Sequence, residues 1–347
     1  MNNRIGRREL LKTILLGAAS AAAVDQPACV AEQPPQPAEK ANPKLPIRMF
    51  GKTGRSLPIL GMGSSPLVAV WARGYGAEPG SVEKRAALVR HAYDHGVRYF
   101  DTARGYYDAE QVMGVGLKEV RANCFVATKV AQGPSMVRAS VEKSLQMLGM
   151  DHVDLVQIHS PAIERLGFEG AMKMHAELIK LRDAGLLRYI GLTTHVAFET
   201  VHKLIATGGF DQVLLAYSHL HKGMDTLLSE RNLGFRERCL AKAGELKMGV
   251  VAMKVLAASI LGRMSKYTVP DYDPAARAKL PGAAMRWVLN DPRVSLLNIG
   301  MGHAEEVDQN AAMLAADLTL TDADRALLTD YSERAYKSER FRKMRIV

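Results

Sequence analysis

Eight short apolar runs recur along the chain, at 59–63, 98–102, 125–130, 153–159, 188–193, 212–217, 249–255 and 295–301. Several are continuously apolar rather than alternating, as strands buried on both faces of a parallel sheet are. Between them lie longer stretches whose apolar residues recur at helical spacing. In 84–95, Ala86, Val89 and Ala92 share a face and Gly96 is the stop; in 171–184, Ala171, Met174, Leu178 and Leu181 do the same ahead of Gly185. Eight strand-plus-helix units within about 260 residues predict a closed (β/α)8 TIM barrel, and no GxGxxG follows any run to favour a doubly wound sheet. The segment 47–50, with Gly51, Gly54 and Pro58 after it, predicts an N-terminal hairpin capping the barrel floor, and 322–335 predicts an extra C-terminal helix.

Ahead of the barrel the pattern changes twice. Arg7-Arg8, Leu10-Leu11 and Lys12 precede a stretch at 13–24 rich in Ala, Leu and Gly and too short to span a bilayer. This arrangement resembles a twin-arginine (Tat) export signal, which implies an exported, periplasmic or secreted protein handled by the Tat machinery. Cleavage after Ala23 or Ala31 fits. Pro34, Pro35, Pro37, Pro43 and Pro46 then stand among polar residues, the composition of an extended linker. The expected organisation is a signal at 1–31, a linker at 32–46 and a barrel at 47–347.

Composition narrows the partners. With 48% apolar and 24% charged residues the 347-residue chain is neither disordered, collagen-like nor a multi-span membrane protein. Its net charge of +10 is spread without a dense Lys/Arg block interleaved with aromatics, so nucleic acid is not an expected partner, nor is a stable membrane span. Cys29, Cys124 and Cys239 lack metal-ligand or CxxC spacing, and the last two read as small buried apolar groups. His219-x-His221 has no third ligand at suitable spacing, so no metal is expected.

Chemistry in such barrels sits at the carboxyl ends of the strands. The second run ends in Asp101-Thr102-Ala103 with Tyr106 five residues past the aspartate, the third ends in Ala127-Thr128-Lys129, and the fourth in Gln157-Ile158-His159. Singly, each has an ordinary structural role: an interior Asp101–Lys129 ion pair, a core His159, a loop Tyr106. Together they are the groups that reduction of a carbonyl requires. Hydride addition generates an alkoxide that needs a proton, a phenol is a slow donor near neutral pH, and an ammonium beside it stabilises the phenolate.

In these residues the sequence resembles the aldo-keto reductase superfamily: Phe100-Asp101-Thr102-Ala103-x-x-Tyr106, Ala127-Thr128-Lys129, Asp154-Leu155-x-Gln157-Ile158-His159 and Tyr189-Ile190-Gly191-Leu192 stand in the family's order from about residue 47 to 310. The resemblance implies that Tyr106 is the general acid/base, Lys129 tunes it, Asp101 orients Lys129, His159 donates to the substrate oxygen, and a nicotinamide supplies the hydride. It implies cofactor contacts from Ser64, from Thr193-Thr194 where the family has Ser-Asn, and from Tyr217, matched to the aromatic residue that stacks on the nicotinamide; Leu214 stands where the family has glutamine. Lys254 and Leu256 occupy the seventh loop, and Gly302, His303, Glu306 and Asn310 the eighth. That eighth loop contains no Lys or Arg, while Glu305 and Glu306 would repel a 2′-phosphate, so NAD(H) is favoured over NADP(H). Leu67, Trp71 and Tyr75 are candidate substrate contacts on the rim.

The expected function is interconversion of an aldehyde, ketone or sugar carbonyl with an alcohol by an NAD(P)-dependent oxidoreductase. The alternative is a non-catalytic dinucleotide-binding sensor or accessory subunit on the same barrel.

Overall fold

A parallel strand that is apolar on both sides needs one face turned to a layer of helices and the other to a closed interior, and this chain meets both demands. The computed structural model describes residues 45–77 and 79–347; the expected export signal, and all of the linker except Leu45 and Pro46, lie outside them. A two-stranded antiparallel hairpin, β1 (Ile47–Met49) and β2 (Ser56–Pro58), opens the fold. There follow β3 (Leu60–Gly63), α1 (Val82–Asp94), β4 (Tyr99–Asp101), α2 (Ala109–Leu117), β5 (Phe125–Val130), α3 (Val137–Leu148), β6 (Val153–Ile158), α4 (Ser160–Asp183), β7 (Leu187–Thr194), α5 (Phe198–Ala206) and β8 (Gln212–Ala216). The second half adds β9 (Thr226–Leu227), α6 (Glu230–Glu245), β10 (Gly249–Met253), α7 (Ser265–Thr268), α8 (Pro274–Leu289), β11 (Leu296–Gly300), α9 (Ala304–Ala315), α10 (Asp322–Lys337), α11 (Glu339–Arg342) and β12 (Arg345–Ile346).

Eight parallel strands close in the order β3-β4-β5-β6-β7-β8-β10-β11, with β11 pairing back onto β3. The fold is the predicted (β/α)8 barrel with its N-terminal hairpin and C-terminal helix. Each of the eight apolar runs is a barrel strand, with ends that differ by at most two residues.

Strand alternation sorts the side chains into two cores. Outward residues such as Phe100, Val126, Val156, Ile190, Val213 and Leu297 pack against the helices. Inward ones, Tyr99, Phe125, Leu155, Leu214, Val251 and Leu296, meet Phe50 and Leu57 of the hairpin segment, which plugs the floor. The Phe50 ring lies 5.2 Å from that of Phe125 and 5.8 Å from that of Tyr99, in the tilted and edge arrangements that aromatic quadrupoles favour. A third cluster, including Ile260, Leu280, Leu328, Tyr331 and Phe341, ties α10 and α11 to α8 and the loop after β10. The final strand β12 pairs with β9, so the C-terminus braces the loop after β8 at the barrel rim. Among the described residues no helix is long and apolar enough to cross a membrane.

Gly51 shows how tightly the plug fits. Its φ is +55°, and a Cβ there would lie 2.3 Å from the Gly249 backbone nitrogen and 2.6 Å from the Lys247 carbonyl oxygen. No side-chain rotation relieves such a clash with backbone. Gly51→Ala is expected to lower the unfolding free energy by about 2–3 kcal/mol in urea titrations, because backbone on both sides must shift to admit the Cβ.

Candidate active site

Moving up the barrel interior, the inward positions turn from apolar to polar one pleat at a time. Tyr99 is followed two residues on by Asp101, Phe125 and Ala127 by Lys129, Leu155 by Gln157, and Leu296 by Asn298. Period-two geometry alone therefore places a carboxylate, an ammonium and two amides in one layer above an apolar floor. The layer is tightly bonded. Lys129 Nζ donates to Asp101 Oδ1 and, at 2.7 Å, to the Thr102 carbonyl oxygen. The other Asp101 oxygen accepts from Gln157 Nε2 at 2.7 Å, and Asn298 Nδ2 donates to Oδ1 at 3.2 Å.

Above this layer Tyr106 hangs from the loop after β4. The Arg104 amide donates to the Lys129 carbonyl oxygen at 3.0 Å, and its guanidinium pairs with the fully buried Glu110, which also accepts from Thr128 Oγ1 at 2.7 Å. These contacts hold the loop so that the Tyr106 ring centroid lies 5.1 Å from Lys129 Nζ and 5.7 Å from the His159 ring. Trp71 meets Tyr106 edge-on at 5.5 Å. The neighbouring Tyr107 is exposed, with φ at +46°. Phenol, ammonium, carboxylate and imidazole thus converge on a cavity of about 350 Å³ that Trp71, Tyr75, His195 and Met253 also line. Burial, helped by the Lys129 charge, pushes His159 down to about 3, so its ring is neutral at physiological pH.

The cavity shares Leu256, Ser259, Ile299 and Gly300 with a groove of about 840 Å³ that runs along α8 and the start of α9 and takes in His303, Glu305, Glu306 and Asn310. Thr193 and Lys254 line the cavity itself. Thr193 Oγ1 accepts from the Ser160 amide at 2.8 Å. Ser64 and Thr194 are buried, each between two residues that line the cavity, and their hydroxyls have no partner among the described residues. Gly302 contributes to the loop by donating its amide to Glu306 at 2.7 Å. The loop after β10 is unusual: Lys254, Ala257, Ala258 and Ser259 all have positive φ, between +48° and +69°, a costly conformation that side chains rarely adopt away from functional loops.

Three expected contacts lie elsewhere, Gly302 lining neither the cavity nor the groove but the cavity beside them that Leu67 also lines. Tyr217, expected to stack on a nicotinamide, does not line the cavity. Its ring packs on Trp287 at 5.2 Å and its hydroxyl donates to Asp291, because Tyr217 follows the last residue of β8 on the outward side of the pleat. Leu67, expected on the substrate rim, is buried, and lines a separate cavity with Pro66 and Arg85. In their place stand residues to which the sequence reading assigned no role: His195, Met253, Met224 and Asn298. Asn298 had a visible signal, a polar residue inside an otherwise apolar strand. The opposite wall of the groove also supplies Arg263, Lys266 and Arg277, cations that the eighth loop lacks. Arg277 is occupied by three backbone carbonyls and Arg263 by the Gly74 carbonyl.

Several polar atoms on the lining are short of partners, among them Asn298 Oδ1 and His195 Nδ1. A flat, amide-bearing ring such as nicotinamide suits such a set of donors and acceptors beside apolar Leu214 and Met253, and the groove suits an elongated dinucleotide tail.

The neutral His159 has a consequence for acid stability. Its folded-state value lies below the ordinary 6.5, so as pH falls from 6.5 toward 3 the unfolded chain takes up a proton that the native one refuses. Stability is complete above 6.5 and declines through that window. His159→Asn should flatten the decline by up to about 1.4 kcal/mol per pH unit, measured by urea unfolding between pH 4.5 and 7. An unchanged slope would show that the ring is protonated in the native state.

Comparison with known proteins agrees with this geometry. Residues 60–274 match the Aldo/keto reductase family. The chain is 26% identical over 304 residues to L-galactose dehydrogenase of Arabidopsis thaliana, covering 78% of this chain and 88% of that protein. It is 24% identical over 336 residues to NADH-specific methylglyoxal reductase of Escherichia coli, covering 84% and 98%. An aldo/keto reductase of Klebsiella pneumoniae, solved in complex with NADP and acetate, superposes with a TM-score of 0.64 at 22% identity over 82% of this chain and 95% of its own. The chain belongs to the aldo/keto reductase family and is an oxidoreductase that interconverts a carbonyl and an alcohol with a nicotinamide dinucleotide.

Proposed function

We propose that Tyr106 is the proton donor and acceptor, with Lys129, Asp101 and His159 completing the catalytic group, and that the substrate is a small hydroxylated carbonyl compound of the sugar type. The convergence of Tyr106, Lys129 and His159 on one cavity carries this reading. Asn298, Thr193 and Thr194 would hold the amide of a nicotinamide and Lys254 and the start of α9 its dinucleotide tail, and that group would supply or accept the hydride.

The remaining chemistry belongs to the protein. The substrate oxygen sits between the Tyr106 hydroxyl and a His159 N–H. A neutral imidazole donates a hydrogen bond there without adding a charge that would compete with Lys129. As the oxygen becomes an alkoxide it takes the Tyr106 proton, and the Lys129 ammonium balances the phenolate left behind. Asp101 keeps Lys129 aimed, with Gln157 and Asn298 fixing Asp101 in turn. Trp71 and Tyr75 give the aromatic wall against which a sugar ring packs, and the name of L-galactose dehydrogenase supports that substrate class. Tyr106→Phe should lower kcat by about 10³ while leaving the dinucleotide Kd within threefold, measured by steady-state assay and fluorescence titration. Full retention of turnover would assign the proton to another group.

At the adenosine end the reading is NAD. Glu305 is exposed at the start of α9, where a carboxylate accepts from a free 2′-hydroxyl and repels a phosphate, and two of the three facing cations are already engaged by backbone carbonyls. The N-terminal resemblance to a Tat signal supports export of the folded chain. Free nicotinamide nucleotide is not expected outside the cytoplasm, so an exported enzyme would carry its dinucleotide bound and recycle it with a second substrate. Protein purified from its native compartment and passed through gel filtration should retain a dinucleotide that, on release, is identified enzymatically as NAD(H). Loss of all dinucleotide on dilution would count against the held cofactor, and recovery of NADP(H) against the role of Glu305.

A further inference from the structure

Outside the cavity, three metal-ligating side chains meet where α1 packs beside α9. His91, in the last turn of α1, and His95, the residue that caps its C-terminus, are four residues apart and lie side by side, with ring centroids 4.1 Å apart. Asp308 arrives from α9, 217 positions after His91. Its Oδ1 lies 2.6 Å from His91 Nε2 and 3.2 Å from His95 Nε2, and the three ligand atoms all lie within 4.8 Å of one another.

The tautomer of His95 makes this more than a surface contact. Its Nδ1 is 2.9 Å from the His91 carbonyl oxygen, so in the neutral ring Nδ1 carries the hydrogen and Nε2 keeps its lone pair. That lone pair faces a carboxylate oxygen. Two acceptors at such a separation repel unless a positive particle lies between them or the ring is protonated. A backbone carbonyl that fixes one ring nitrogen and leaves the other free is also the usual second partner of a metal-bound histidine.

We propose that His91, His95 and Asp308 bind a borderline transition-metal dication, Zn²⁺ or a close substitute such as Co²⁺ or Ni²⁺, which clips α1 to α9. Two imidazoles and one carboxylate suit these ions and not Mg²⁺ or Ca²⁺, which call for oxygen sets. Bonds of about 2.0–2.1 Å in a tetrahedral site hold ligand atoms about 3.3 Å apart, so the His91–Asp308 contact needs to open by less than about 1 Å. The side chains are 33%, 37% and 51% exposed, which leaves them free to adjust and leaves water as the fourth ligand. Since α9 begins at the loop lining the dinucleotide groove, the clip pins that wall of the groove to α1. The site takes no part in proton or hydride transfer and does not depend on the catalytic assignment.

The test uses untagged full-length protein freed of metal with EDTA. Co²⁺ should produce visible d–d absorption saturating at a single equivalent, Zn²⁺ should compete for the same site, and Zn²⁺ at a hundredfold excess over Kd should raise Tm by about 4 °C, reversibly with EDTA. Mg²⁺ should do neither. His95→Gln, at the half-buried cap of α1, and Asp308→Asn, on the exposed face of α9, should abolish the absorption while melting as the metal-free protein does. If either variant misfolds by circular dichroism, His91→Gln replaces it. Absence of a visible band in the unmodified protein overturns the proposal. Binding that persists in the variants overturns it as well, by placing the metal elsewhere.

Discussion

A carboxylate and an ammonium inside a barrel are expensive to bury, and the rest of this structure is arranged around the Asp101–Lys129 pair. Each loses its water, and the pair recovers that loss only where geometry is close and the remaining lone pairs are satisfied. Asp101 meets the condition with four strands at once: its own β4, Lys129 from β5, Gln157 from β6 and Asn298 from β11. Removing either charge would strand the other, a loss of about 3–5 kcal/mol in comparable buried pairs. The pair is thus a fixed reference point from which the position of Tyr106 is measured.

Such a pair needs a dry floor and an open roof. The floor is the layer of Phe50, Tyr99 and Phe125, whose rings lie 5.2 to 5.8 Å from one another, with Tyr189 stacked on Phe125 at 5.9 Å. The roof is built by loops, braced from outside by the C-terminal helices and by the pairing of β12 with β9. The N-terminal hairpin and the C-terminal extension therefore serve one purpose from opposite ends. One seals the bottom of the barrel, and the other steadies the rim around the cavity.

The tetrad was legible because it sits at strand ends, where a change from apolar to polar residues is local in sequence and period two gives its direction. The errors have the same origin. Tyr217 also follows an apolar run, but parity turns it outward to Trp287 and Asp291, whereas Leu214 and Met253 face in. Leu67 belongs to a loop, where no periodicity reports on direction, and the chain folds it under. His195 lines the cavity beside the identified Thr193 and Thr194, yet it has no spacing that distinguishes it from core, whereas Asn298 was marked by its polarity inside an apolar strand. The groove cations Arg263, Lys266 and Arg277 come from the segment between β10 and α8, so charge counted along the eighth loop alone missed them.

The amino-acid sequence by itself determined the eight strand and helix units, the closed barrel and the four polar groups that meet at one end of it, because each follows from short-range periodicity or from residues adjoining a strand terminus. Only the tertiary structure decided which side chains face the cavity where strands give way to loops, which cations reach the dinucleotide groove, and that His91 and His95 find Asp308. Those relations join segments far apart along the chain, and their distances are set by barrel closure and helix packing, which no local pattern of hydrophobic and polar residues encodes.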